Sequence, residues 1–358
     1  MKIIKLILFF NILFCLNSII SEQIITNRPV SQVGDSIARF ILAKLLSIKY
    51  DIPFYYSPFR YSDLFILDIK EKRINNQEIK DFTDIIYADI KDINNVKYKN
   101  LDVLLRPHLG VKIQPMNKDW WNLIKKLIRF KNIPNVKPLP KDKITIALHI
   151  RKGNGGGEVY DGEQSSLQYF NFNRSDVVYV NNYFNYPFDL AHYQRLENGE
   201  IVNAIGPKTK SSVDNDSILS LDKIERYMTK FPPEQYYVDQ ICKVADELKM
   251  HKLFIEIFTD DNNPYALIDR LKKAANRKNI VFYYQDNRKL SFKERIYTDL
   301  YKMSLFDGLI RSESYFPRIS EIMGNHKFVI FPLDCIWQEN KLIMTKIAIK
   351  GSISSLNK

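Results

Sequence analysis

Arg151 stands directly behind an apolar run, residues 144–150, and directly ahead of Lys152 and the glycine-rich stretch Gly153-Asn154-Gly155-Gly156-Gly157, with Glu158 and Asp161 close behind. A guanidinium can fork onto two phosphate oxygens, which a lysine ammonium does less well. Glycines beside it permit positive φ and let a ligand approach the backbone closely. The segment therefore offers anion binding followed by a carboxylate. That pairing suits a reaction in which a phosphate departs and a hydroxyl is deprotonated. The plainer alternative is a flexible loop carrying a structural arginine.

Two familiar phosphate loops are excluded. A dinucleotide fingerprint needs G-x-G-x-x-G opening a helix straight after the strand, and here Glu158 stands where the last glycine belongs. A Walker loop needs Gly-Lys-Ser/Thr at its end, which is absent. Two further apolar runs do end in polar residues. "LFIEIF" ends in Thr259-Asp260-Asp261, and the run "GLI" is followed by the exit Ser312-Glu313-Ser314. Ligands of open parallel sheets lie beyond the carboxyl ends of the strands, so these exits and Arg151 predict one shared site. Singly, each has another use: Asp261 could cap the helix after Pro264, and Ser314 could be an N-cap.

The elements that must position these residues alternate strand and helix. Gly34-Asp35-Ser36 opens a helix with Ile37, Phe40, Ile41, Leu45 and Ile48 on one face, followed by the strand "IPFYY". "DVLLRPHLG" reads as a strand and "DWWNLIKKLIRF" as an amphipathic helix. The proline-rich stretch 132–143 reads as a linker. The second half runs through the strand "ITIALHIR", a polar-aromatic insertion at about 153–217, and the helix after Pro232-Pro233, with Val238, Ile241, Cys242, Ala245 and Leu248 on one face. Alternating strands and helices follow, down to a last strand, "KFVIFPL". The expected fold is α/β with two Rossmann-like domains, 22–138 and 139–358, after an N-terminal segment 1–21.

The order of the motifs carries a resemblance. "HIRKGNGGG", then "FPPEQYYVDQICKVADELKMHKLFIEIFTDDNNP", then "DLYKMSLFDGLIRSESYFPRISEIMG" resemble the fucosyltransferase superfamily. The nearest branch is the α1,6 one, which includes the nodulation-factor and N-glycan core enzymes; the third block is also similar to the α1,2 enzymes. The resemblance covers roughly 144–324, with weaker support from Gly34-Asp35-Ser36. It implies a GT-B-like arrangement of two facing Rossmann-like domains, and transfer from GDP-fucose with no metal or other cofactor. It implies Arg151, with His149 beside it, against the donor diphosphate, and Thr259 and Asp260 near the nucleoside. Ser314 would donate to phosphate oxygens with Phe316 packed nearby, and Glu158 would be the base. Gly34, Asp35, Gly153, Asn154 and Asp261 complete the expected donor-binding set. Asn154 stands where many members carry Asp, Glu313 stands where the α1,2 enzymes carry Asn, and 161–217 aligns with nothing in the family.

Composition bounds the remaining choices. The chain has 358 residues, 45% of them hydrophobic, enough for two cored domains. Its N-terminus has Lys2 and Lys5 ahead of an apolar run to about Ile20, the layout of a secretory signal peptide; a membrane anchor formed by residues 3–20 is the alternative. The expected location is the secretory pathway or export. A net charge of +12 suits anionic ligands, but the basic residues are dispersed among acids and form no nucleic-acid module. Asp214-Asn215-Asp216 lies in a polar loop without a preceding strand and reads as a turn. His192 and His251 are isolated and offer no metal-ligand spacing. The expected partners are a nucleotide-sugar donor and a glycan or glycoprotein acceptor. The alternatives are a non-catalytic carbohydrate- or nucleotide-binding protein on the same fold, and a protein O-fucosyltransferase.

Overall fold

A computed structural model describes residues 23–27, 32–75, 77, 84–86, 103–105, 118–152, 177–179, 183–186, 193–195, 201–203, 229, 232–261, 263–338 and 341–357. The expected signal or anchor segment lies outside them. Among the described residues, no helix is long and apolar enough to cross a membrane. The chain divides into two compact units, Met1–Leu127 and Ile128–Lys358.

The first unit contains strands β1 (Gln23–Thr26), β2 (Phe54–Tyr55), β3 (Asp84–Ile86) and β4 (Val103–Leu105), paired in the order β2-β1-β4-β3 and all parallel. Helix α1 (Val33–Tyr50) buries Ile37, Phe40, Ile41 and Leu45, the face its sequence period predicts. Phe40 meets the rings of Phe54 and Tyr56 edge-on, at 5.6 and 6.2 Å between centroids. Asp51 ends the helix in the left-handed region, its N–H donating to the Ser47 carbonyl. The helix begins at Val33, one residue before the expected start, so Gly34 and Asp35 lie within its first turn. Helix α2 (Lys118–Leu127) closes the unit.

The stretch 132–143 belongs to the second unit by its contacts. Just before it, Phe130 packs edge-on against Tyr297 at 4.6 Å, and the Asn132 carbonyl accepts from the Tyr297 hydroxyl. The division at Leu127 therefore falls ahead of the prolines. An aromatic anchor on the approach to the stretch draws it onto the second core.

That core is a sheet built from β5 (Ile144–Ile150), β6 (Val177–Tyr179), β7 (Tyr183–Tyr186), β10 (Leu253–Thr259), β11 (Ile280–Tyr283), β12 (Gly308–Arg311), β13 (Phe328–Gln338) and β14 (Lys341–Gly351). A separate hairpin pairs β8 (Tyr193–Arg195) with β9 (Ile201–Asn203). The strand order is β11-β10-β5-β12-β13-β14-β6. Its first five strands follow the doubly wound Rossmann-like pattern, in which successive strands run one way from β5 and then the other. Helices α3 (Glu234–Glu247) and α4 (Pro264–Ala275) pack together, as do α5 (Phe292–Met303) and α6 (Tyr315–Met323).

Ile146, Leu148 and Ile150 join Ile255, Ile257, Ile310 and Ile330 and the apolar faces of α3 and α4 in one core. Glu256 points the other way and is ion-paired with buried Lys302 of α5 at 2.6 Å. Helices therefore cover both faces, and the central strands read as near-continuous apolar runs.

One expectation is corrected. β13 is not the last strand: β14 pairs antiparallel with it, and β6 and β7 from the insertion pair parallel with β14. Lys341, Lys346 and Lys350 interrupt the apolar pattern of β14 and disguise it as an exposed tail. Lys350 is in fact buried and ion-paired with Glu321.

Gly308 opens β12 under the ring of Phe328, where an added Cβ would lie 2.2 Å from a ring carbon. Overpacking of this kind costs roughly 1–3 kcal/mol, and Gly308→Ala is expected to lower the melting temperature by several degrees. A thermal melt of the variant checks this; an unchanged midpoint would contradict the packing at the start of β12.

Candidate functional site

Strand order reverses between β5 and β12, and at such a switch point the loops leaving neighbouring carboxyl ends diverge and open a crevice. Arg151 follows β5 and Ser314 follows β12. Arg151 Nη1 donates to Ser314 Oγ at 2.9 Å, a contact spanning 163 residues of sequence. Ser314 occupies the N-cap position of α6 but makes no side-chain capping bond; its buried hydroxyl serves Arg151 instead. The capping alternative for Ser314 is thus replaced by a contact between two separate motifs.

His149 lies beneath this pair, buried, with Nδ1 3.3 Å from Ser312 Oγ and its ring 6.0 Å from that of Phe316. Burial pushes its pKa down to about 3, reinforced by the positive charges of Arg151 and Arg311. The imidazole is therefore neutral at ordinary pH and adds no charge to the site.

The next exit, after β10, is tied to the first. Asp260 Oδ1 accepts from the Lys152 backbone N–H at 2.6 Å. Lys152 Nζ reaches Glu234 at 2.8 Å, and Glu234 also takes two hydrogen bonds from Arg270, both 2.9 Å. The Arg270 bonds first, then Lys152, hold the Glu234 carboxyl down at about 2 against the effect of burial. Thr259 Oγ1 accepts from Asp261 N at 3.1 Å, and Asp261 Oδ1 from Asn263 N at 2.7 Å. Asn263, not Asp261, caps α4, accepting from Ala266 N at 3.2 Å with Pro264 at the first helical position.

Under the β12 exit lies a buried ion cluster. Arg311 Nε donates to Glu321 at 2.8 Å and Nη1 to Glu313 at 2.7 Å, with its guanidinium 4.1 Å from the Phe331 ring centre. Arg318 completes the grip on Glu313, and Lys350 that on Glu321. Glu313 thus spans two arginines, a use for a carboxylate that a neutral amide would not share. Removing one partner of such a buried pair costs about 3–5 kcal/mol, so the cluster fixes the shape of the loop carrying Ser314.

His149, Arg151, Asp260, Ser314 and Phe316 are therefore gathered along the carboxyl edge of one sheet, while Thr259 and Asp261 shape the β10 turn. Gly34 and Asp35 belong to the other unit, and Gly153, Asn154, Glu158 and Asp161 lie outside the described residues. No motif singles out Lys152, Glu234, Arg311 or Tyr237, whose buried hydroxyl has its pKa raised by burial next to Ser312, the Arg151 backbone and Asp260. Only Arg311 left a trace in the sequence, as a charge at the end of an otherwise apolar strand. Among the described residues, no group of three or more His, Cys, Asp or Glu side chains could hold a metal ion.

No protein-family model matches the sequence, and no curated protein matches it. Solved structures do resemble the chain. A crystal structure of POFUT1 in complex with GDP-fucose is 12% identical and aligns over 86% of this chain and 94% of its own, with a TM-score of 0.42. NodZ alpha-1,6-fucosyltransferase soaked with GDP-fucose is 9% identical over 87% and 94%, with a TM-score of 0.41. Fucosyltransferase NodZ from Bradyrhizobium is 9% identical over 87% and 96%, with a TM-score of 0.40.

The neutral His149 yields a pH prediction. Its folded pKa, about 3, lies below the unfolded value near 6.5, so the unfolded chain takes up this proton first. The associated stability is full above pH 6.5 and is lost as pH falls from there toward 3. Denaturant unfolding between pH 7 and 4 is expected to show a shallower acid decline in His149→Gln than in the parent. Identical slopes would mean that His149 takes up its proton in the folded chain as readily as in the unfolded one.

Proposed function

We propose that this chain is a glycosyltransferase that moves fucose from GDP-fucose to a hydroxyl of a glycan or glycoconjugate in the secretory pathway, with inversion and without a metal. The observation that supports it most is the Arg151–Ser314 hydrogen bond across the switch point, which joins two of the three motif blocks. The departing GDP gains negative charge as the bond from the sugar C1 to the diphosphate breaks. Arg151 meets that charge with its fork. Ser314 accepts from Arg151 and so keeps its own proton to donate to a phosphate oxygen. The Phe316 N–H, in the first turn of α6 ahead of Pro317, adds a donor at the positive end of a helix dipole. Asp260 holds the Arg151 loop through Lys152 N. The acceptor oxygen bonds to C1 from the opposite face and loses its proton to a carboxylate, for which Glu158 is the first choice and Asp161 the second.

Binding and chemistry are tested separately. With chelator present, GDP at a hundred times its dissociation constant is expected to stabilise the purified chain by about 2.7 kcal/mol. UDP should do far less, and Arg151→Ala should lose the GDP effect. The absence of a shift with any guanine nucleotide would sink the proposal. Glu158→Gln is expected to keep the GDP-induced shift while transfer falls at least about a hundredfold. Wild-type turnover in that variant would remove Glu158 from the mechanism.

A further inference from the structure

The row of strand exits continues past Asp260 to β11, the edge strand, after which comes Tyr284. Beside it α4 begins, and the backbone at its start is held by the Thr259–Asp261–Asn263–Ala266 series of turns and by Pro264. Tyr265 follows Pro264. Its ring stands edge-on to that of Tyr284, with centroids 5.6 Å apart and planes at 84°. Leu267, Ile268 and Leu271 of the same helix are buried, whereas Tyr265 is 53% exposed. An aromatic ring with a fixed backbone, a braced edge and an uncovered surface is a ready contact for a flat apolar ligand.

Sheet geometry says which ligand reaches it. Neighbouring strands are about 4.8 Å apart, so the β11 exit lies roughly 10 Å along the row from the β5 exit. A nucleotide whose diphosphate rests between the β5 and β12 exits extends past β10, where Asp260 stands, and brings its base to the edge. Among the described residues, no strand lies beyond β11 on this path. We propose that Tyr265, braced by Tyr284, is the platform on which the purine base of the donor nucleotide stacks, and is thus a specificity-determining residue of the site. The inference rests on the reading that the diphosphate is held at Arg151 and Ser314.

Calorimetric titration of the full chain with GDP and with inorganic pyrophosphate tests it. Base–aromatic stacking of ordinary strength predicts a GDP dissociation constant about tenfold higher in Tyr265→Ala, with pyrophosphate affinity unchanged. Tyr265→Phe, which keeps the ring, should bind GDP as the parent does. If Tyr265→Ala binds GDP normally while Arg151→Ala does not, the platform is overturned and the donor site stands. A parallel loss of GDP and pyrophosphate in Tyr265→Ala also overturns it, because the residue would then be supporting the phosphate loops. If the parent chain binds neither ligand, the donor-site reading fails and takes the platform with it.

Discussion

The site depends on the register between β5 and β12, and one residue pair fixes it. Asp307, just ahead of β12, accepts from the Thr145 backbone N–H at 2.9 Å and from the Thr145 hydroxyl at 2.7 Å. Its own N–H donates back to Thr145 Oγ1 at 3.1 Å. Its carbonyl accepts from Lys327 N at 2.7 Å, which ties in the start of β13 as well. With Gly308 beside Ile146 and Arg311 beside His149, the two strands end within one residue of each other. A slip of one residue would turn every β12 side chain to the other face. Arg311 would leave its carboxylates, and Ser314 would leave Arg151.

Electrostatics at this edge divides into two layers. The inner layer is the buried cluster of Arg311, Arg318, Lys350, Glu313 and Glu321, together with neutral His149. Its desolvation cost is offset only by close pairing, so it holds geometry more than it adds stability. The outer layer is half-buried Arg151, whose guanidinium reaches Ser314 at the carboxyl edge of the sheet. A neutral histidine between the layers keeps the cationic character of the outer layer on Arg151 itself. The burial pattern thus separates the charges that shape the loop from the half-buried charge at the carboxyl edge of the sheet.

Much of this was legible in the sequence because it obeys short-range rules. The 3.6-residue period of α1, the apolar runs of β5 and β10, and Pro264 at the start of α4 each announce their elements locally. Arg151, Asp260 and Ser314 were legible because polar residues at the ends of parallel strands share one edge wherever the strands lie side by side. The parts that could not be read are long-range pairings. Lys152 and Glu234 are 82 residues apart, and nothing near either one predicts the other. The same holds for Asp307 with Thr145, 162 residues away, and for β14, whose lysines imitate a surface strand until Glu321 is seen to receive one of them. Ser314 was ambiguous for the opposite reason: one residue type serves both as a cap and as the partner of a distant side chain, and only the contact its hydroxyl makes tells them apart.

The most direct test of the central claim is a crystal structure of the full chain with GDP. The diphosphate is expected at the exits of β5 and β12, with oxygens within hydrogen-bond distance of the Arg151 guanidinium, Ser314 Oγ and the Phe316 N–H. A diphosphate bound elsewhere on the chain, out of reach of Arg151, would contradict the proposed donor site.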